Sequence, residues 1–241
     1  MFIMMEHDVD LANKSPYKYI NKDFVKKLSM LIKAPIEAKS KLVRAKLRKI
    51  STSALPPKFY KKFKGLEFSK DLLNWHRSTR ERLEIYPWLV EEIEKRGKNI
   101  IDLGCGFNLV ALYYFDFTPK SYFGYDIDGA VIEFVTRFAQ ENKINAELFC
   151  QDISNPDIKS GDVCLALKVF DALEELEWNI TKKILIKLKE KCKHIIVSFS
   201  NISLSGRGKL RKREWFEKIL QDLKLKWEKV EKSNETFYFI K

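Results

Sequence analysis

The stretch IIDLGCG at positions 100–106 constrains the fold more than any other part of the chain. An apolar run that reaches Asp102 and breaks at Gly104, Cys105 and Gly106 is a strand leading into a tight turn, where backbone amides come close to a ligand. About twenty residues on, the apolar segment YFGYDID carries Asp126 and Asp128. Strand, glycine turn and acidic residue at this spacing are how a doubly wound α/β sheet holds an adenosine. Asp126, at the strand end, is the candidate for the ribose hydroxyls, since a carboxylate can accept from both. Asp128 reads instead as the N-cap of a helix opening with GAVIEF.

Two chemistries share this pattern, and two details separate them. In the dinucleotide fingerprint a third glycine opens a helix N-terminus to a pyrophosphate, but the corresponding place here is Leu109. Asp102, ahead of the first glycine, suits a cationic ligand, because its carboxylate can orient the turn beside an ammonium and a sulfonium. Both favour S-adenosylmethionine over a dinucleotide. Further along, Asp152 in FCQDI follows the next strand and is placed to accept from an adenine amino group, with Ile127 and Ile153 as apolar walls. The segment HRSTRERL at 76–83 puts cations at the start of a helix, where the macrodipole gives them no help. That placement points to an external anion: Arg80 and Arg82 are candidates for a cofactor carboxylate, with His76 and Ser78 closing the pocket.

Past the fourth strand, enzymes that methylate exocyclic amines carry an acidic or Asn residue, two prolines and an aromatic; this chain has LALKVFDAL. A ring nitrogen with a free lone pair, such as guanine N7, needs no base, so positioning beside a charged sulfonium suffices and no catalytic residue is expected. Lys168 sits where a target base would approach. The loop SFSNISLSGRGKLRKREWF at 198–216 adds Arg207, Lys209, Arg211, Lys212 and Arg213 at the ligand edge of the sheet, as candidates for RNA contact.

A chain of 241 residues can bury one α/β core and still carry an appendage. The formal net charge of +12 is uneven: residues 1–75 hold 17 Lys or Arg against 7 Asp or Glu, and the remainder 28 against 26. Such asymmetry suits a phosphate backbone, which rewards neutralisation with counterion release. No apolar run is long enough for a membrane span and the N-terminus does not read as a signal peptide, so a cytoplasmic location is expected. The four cysteines, Cys105, Cys150, Cys164 and Cys192, lack a paired spacing and read as reduced core thiols, with no metal site.

Periodicity predicts basic helices over 17–33 and 36–50, a break at 51–57, and a segment KFYKKFKGLEF whose aromatics are either core or base-stacking. Ser78 and Glu81 form a capping box for a helix from Thr79 to Gly97, bent at Pro87. Strands follow at 99–103, 122–126, 146–150, 162–167 and 194–199, with helices at 108–115, 129–142, 172–191 and 213–222. WEKV and ETFYFIK then close the chain as an antiparallel hairpin.

Taken in order, HRSTRERL, IIDLGCGFN, YDID, DVCLALKVFDALE, SFSNISLSGRGK, WFE and ETFYFIK resemble the 16S rRNA guanine-N7 methyltransferases that confer aminoglycoside resistance. The resemblance spans about residues 60–241. It implies a class I, Rossmann-like methyltransferase: a seven-stranded, mainly parallel sheet with an antiparallel C-terminal hairpin over 76–241, behind a basic helical domain at 1–75 that docks on the 30S subunit. It further implies S-adenosylmethionine as cofactor and a decoding-site guanine in helix 44 as target. His76, Ser78, Arg80 and Arg82 fall at the methionine end, Gly104 at the backbone, Asp126 at the ribose, Asp152 and Ile153 at the adenine, and Leu167 in the pocket wall. The sequence departs from the family in its basic loop, where Ser200 replaces a proline and Ser205 a glycine. Another rRNA or tRNA target, a small-molecule methyltransferase and a non-catalytic RNA-binding protein stay open as alternatives. A monomer is expected.

Overall fold

Apolar runs bounded by turns produce the seven strands of the computed structural model, which describes residues 15–52, 54–154, 157–202 and 213–241, with the side chains of Ile36 and Thr52 left out. Strands β1 (Asn99–Leu103), β2 (Ser121–Asp126), β3 (Ala146–Cys150), β4 (Gly161–Leu167) and β5 (Cys192–Ser200) pair in parallel. The hairpin β6 (Trp227–Lys232) and β7 (Glu235–Ile240) closes the edge antiparallel to β5, giving the order β3-β2-β1-β4-β5-β7-β6. The order reverses between β1 and β4. Ligands of open α/β sheets bind at that point, beyond the C-terminal strand ends.

The helices, in chain order, are α1 (Lys22–Leu31), α2 (Ile36–Leu47), α3 (Pro57–Lys62), α4 (Arg77–Arg80), α5 (Tyr86–Glu94), α6 (Asn108–Tyr114), α7 (Gly129–Glu141), α8 (Phe170–Glu174), α9 (Ile180–Lys191) and α10 (Glu214–Asp222). Most lie where periodicity puts them; the exceptions have local causes. The helix expected at 17–33 is divided, because the Asn21 side chain accepts from Phe24 N at 2.9 Å and starts α1 afresh. The second basic helix leaves α geometry after Leu47 and continues as a π turn at Arg48–Thr52.

The expected capping box at Ser78 and Glu81 does not form. His76 caps α4 instead, its ring accepting from Thr79 N, while Glu81 is drawn into ion pairs. Pro87 then stands in the first turn of α5, where its missing N–H costs nothing, and starts a new helix where a bend was expected. The helix expected at 172–191 breaks at Asn179, which adopts φ +67°. The Glu174 carboxylate accepts from Asn179 N and Thr181 N there, satisfying amides at the start of α9.

Each sheet face is buried by its own apolar layer, and a smaller cluster joins Tyr17, Ile20, Phe24, Val25, Leu28, Val43 and Leu47 to Ile127. The aromatics of KFYKKFKGLEF belong to the core. Phe59 and Phe63 are buried, Phe59 meets Phe107 and Phe134 edge-on, and Phe68 lies against Phe134 and Phe138. Arg137 fastens this segment from below, donating to the carbonyls of Phe63, Lys64 and Leu66. Cys105 and Cys164 are buried free thiols, whereas Cys150, expected in the core, is exposed at the end of β3. No helix among the described residues is long and apolar enough to cross a membrane.

Candidate cofactor site and its charged mouth

The turn after β1 is fixed by one acceptor, the Tyr125 carbonyl, which takes Gly104 N at 2.8 Å and Cys105 N at 3.0 Å. Gly104 and Gly106 have φ of +68° and +46°, in the left-handed region that glycine enters without penalty. Space is equally short: a Cβ on Gly104 would lie 2.6 Å from Val169 Cγ2, and one on Gly106 would lie 2.6 Å from His76 Cε1. The turn therefore brings His76 and Val169 against a bare backbone.

Beyond it opens a cleft with a cavity volume of about 130 Å³. Gly104, Asp126, Ile127, Asp152, Ile153, Leu167, Lys168, His76, Ser78 and Arg82 all line it, together with Asn108 and Val169. Asp126 is shaped from beneath, accepting from Gly106 N at 3.1 Å and Asp128 N at 3.0 Å. Burial pushes its carboxyl above the usual range. Asp128 caps α7 through Ala130 N and accepts from the Tyr60 hydroxyl at 2.6 Å.

At the opposite wall Asp152 accepts from Ser154 N and Ser154 Oγ and pairs with Lys27 Nζ at 3.1 Å. Lys27 also donates to Ser154 Oγ. Helix α1 thus reaches over to the Asp152 wall, and Phe24, Ile50, Ser51, Ala54 and Leu55 add to the lining from the same end of the chain.

Four expected site residues lie elsewhere. Arg80 is exposed, its guanidinium donating to the Asn74 carbonyl on the far side of α4, because α4 is a single turn and sends Ser78 and Arg80 in different directions. Asp102 is fully buried behind the cleft, where Tyr122 Oη donates to it at 2.6 Å and Asn108 Nδ2 at 3.0 Å. Burial raises its carboxyl to about 7, against the opposing pull of these donors. It acts on the cleft through Asn108, whose Oδ1 accepts from Tyr86 Oη and Arg82 Nη1. Cys105 is buried in the core, and Gly106 contributes through its amide to Asp126 and does not face the cleft.

The mouth is a chain of alternating charges. Arg77 pairs with Glu81, Glu81 with Lys168, Lys168 with Glu235, and Glu235 with Arg82. Arg82 and Glu235 are each 1 % exposed, and Arg82 Nε lies 3.0 and 3.2 Å from the two carboxylate oxygens. Arg82 Nη2 is 2.9 Å from Glu235 Oε1 yet makes no hydrogen bond, which leaves one buried donor in the cleft wall unsatisfied. Burial opposes ionisation of Glu235, but Arg82 and Lys168 outweigh it and hold the carboxyl below its ordinary range. Burial, with Arg82 and Lys168 close by, lowers His76 to about 3, so this imidazole is neutral.

Lys168, expected to face the target, is engaged with Glu81 and Glu235 and held at φ +60°. Arg213 is likewise committed, forming a bidentate pair with Asp171 at 2.9 and 2.6 Å. Arg207, Lys209, Arg211 and Lys212 lie outside the described residues.

Sequence reasoning passed over Glu235, Asn108 and Lys27. Asn108 follows the glycine turn directly and had a local signal; Glu235 and Lys27 had none, being charged residues in an edge hairpin and a basic helix.

The fit to an S-adenosyl ligand rests on this chain's own groups. The unsatisfied guanidinium donor suits a carboxylate, Asp126 suits a ribose, Asp152 between two isoleucines suits an aminopurine, and the glycine turn leaves room that a side chain would fill. The family described as Ribosomal RNA methyltransferase (FmrO) matches residues 67–240. Among solved structures, the 16S rRNA methyltransferase RmtF in complex with S-adenosyl-L-homocysteine superposes with a TM-score of 0.86 at 22 % identity, covering 98 % of this chain and 96 % of that one. The 16S rRNA methylase RmtB gives 0.77 at 23 % identity with the same coverages, and an rRNA methylase from Escherichia coli gives 0.80 at 22 %, covering 98 % of each. No curated protein sequence matches the chain. With a match over most of its length and a class I sheet carrying a cofactor cleft at its switch point, the chain belongs to the ribosomal RNA methyltransferase (FmrO) family of S-adenosylmethionine-dependent enzymes.

Proposed function

We propose that the protein methylates N7 of a guanine in the decoding site, helix 44, of 16S rRNA, acting on the 30S subunit. The observation that carries this reading is the state of the ionisable groups at the mouth. Glu81 is bound by Arg77 and Lys168, Asp171 by Arg213, and Glu235 by Arg82 and Lys168, while His76 is neutral with Nδ1 2.8 Å from Thr79 Oγ1. Each of these groups is committed to a partner, and none is offered as a base to strip a proton from an incoming amine. A ring nitrogen needs no such base.

S-adenosylmethionine, when bound, supplies a methyl group on a positively charged sulfur. The guanine N7 lone pair forms the new N–C bond as the C–S bond breaks toward sulfur. The base gains the positive charge that the sulfur loses, and no proton moves. The protein's part is positional. Arg82, with His76 and Ser78, holds the carboxylate end; Asp126 accepts from the ribose; Asp152 accepts from the adenine amine; and Ile127, Ile153 and Leu167 exclude water from the ring. Asp102 and Glu235 are positioning residues, acting through Asn108 and Arg82.

The test is incubation with labelled S-adenosylmethionine and unmodified 30S subunits, followed by digestion and mass spectrometry of the nucleosides. Labelled 7-methylguanosine mapping to the decoding site is the expected result. Label on a different nucleoside, or on tRNA alone, overturns the proposed target.

A further inference from the structure

A second cavity, of about 680 Å³, lies on the other side of α4 from the cofactor cleft. Its polar lining is cationic: Arg48, Lys58, Arg77 and Arg80, with Asn74 and the indole of Trp75 between them. No Asp or Glu lines it among the described residues. Two neighbouring cavities differ. The cofactor cleft contains Asp126, Asp128 and Asp152, and in the third, beside α8 and α10, Lys49 meets Glu175 and Arg213 meets Asp171.

Among the described residues no carboxylate pairs with Arg48, Lys58 or Arg80. Lys58 lies 4.2 Å from the centre of the Trp75 ring, and Arg80 reaches only a backbone carbonyl. Arg77 is the one member with an acidic partner, Glu81 on the cleft side. Gathering like charges in a concave surface raises their mutual repulsion, and the described residues supply no counter-charge within the groove. An external anion with several charges does.

The position of the groove indicates which anion. It shares Ala54 and Leu55 with the cofactor cleft, and Ala54 and Arg77 with the third cavity, so it borders both at the mouth. A strand laid along this groove has the cofactor cleft beside it, within reach of one of its bases. We infer that the groove binds consecutive phosphodiesters of the substrate RNA, with Arg48, Lys58 and Arg80 as its principal cations, and that Arg80 therefore serves the RNA and not the cofactor. The inference rests on the RNA-methyltransferase reading above and adds a binding site to it.

The experiment is binding of unmodified 30S subunits across a salt series by Arg48→Gln, Arg80→Gln and the double variant, with S-adenosylmethionine affinity measured in parallel by calorimetry. Each lost phosphate contact lowers the slope of log K against log [salt] by about one, so the double variant loses about two. Affinity at moderate salt falls roughly five- to tenfold per arginine, while cofactor affinity stays within about twofold. Lys120→Gln removes the same charge at an exposed site before β2, at the opposite end of the strands, and leaves the slope unchanged. An unchanged slope in the double variant overturns the groove while leaving the methyltransferase reading intact. A loss of cofactor affinity in Arg80→Gln returns that arginine to the cofactor and overturns the assignment equally. If the wild-type protein binds neither 30S subunits nor naked 16S rRNA, both readings fall.

Discussion

Replacing Glu235 by Gln changes one oxygen for one nitrogen, yet it should be among the most damaging single substitutions in the molecule. Gln has nearly the volume of Glu, so no cavity opens, and the cost is electrostatic. Arg82 and Glu235 are each 1 % exposed, and the guanidinium has Asn108 Oδ1 at 3.4 Å as its other side-chain acceptor. Removing one partner of a buried ion pair strands the other charge and costs about 3–5 kcal/mol. For a chain of this size each kcal/mol lowers the melting temperature by about 2–4 °C, so a drop of roughly 6–20 °C is expected. Lys168 contributes less to the loss because it keeps Glu81.

The assay is urea unfolding of the wild type, Glu235→Gln, Arg82→Gln and the double variant, with m-values compared to confirm that the same surface is exposed. The double variant contains no stranded charge, so its loss falls well short of the sum of the single losses. A carboxylate ligand that occupies the stranded guanidinium stabilises Glu235→Gln more than it stabilises the wild type, which makes saturating S-adenosylmethionine a second readout. A single-variant cost below about 1 kcal/mol, or strict additivity in the double variant, refutes the account of a buried, mutually dependent pair.

Three further outcomes follow from the same geometry. Gly106→Ala drives a methyl group toward the His76 ring at a backbone angle that alanine resists, so calorimetry should show S-adenosylmethionine affinity reduced roughly tenfold or more. Asp102 has its folded-state carboxyl raised to about 7 from an unfolded value of 3.8, so the folded state holds a proton that the unfolded state releases. Its contribution is complete below about pH 4 and is lost as pH rises toward 7. Denaturation at a series of pH values should show Asp102→Asn losing that downward slope, and an identical slope in the variant counts against the raised value. Asp152→Ala removes the proposed acceptor for the adenine amine and strands Lys27 and Ser154, so the dissociation constant for S-adenosylmethionine should rise about tenfold, with 30S affinity measured without cofactor little changed.

Most of the catalytic core was legible in the sequence because the signals that build it are local. Alternating apolar runs and turns mark β1 to β7 to within a residue or two, and the glycine turn and Asp126 mark the switch point. The misreadings are local in a different sense. At Ser78 a capping box was written in the residues, but His76, held between Thr79 and Gly106, caps two residues earlier through the Thr79 amide, and Glu81 N is taken by the Arg77 carbonyl inside the helix. The aromatics of residues 59–68 matched both a core and a stacking surface, and only the apolar face of α7 opposite them decided for the core.

The sequence by itself determined the element order, the class of sheet and the places where an adenosine could be held, because a strand, a turn and a cap depend on residues a few positions apart. Tertiary structure decided which charges are spent and which are available. Arg82 is joined to a glutamate 153 residues away and Lys27 to an aspartate 125 residues away, while Arg80, two residues before Arg82, turns to a groove of cations. No local pattern encodes these partners, since each follows from how the hairpin, the first helices and the sheet pack together, and in a low-dielectric interior that packing sets whether a charge is neutralised or left to bind a ligand.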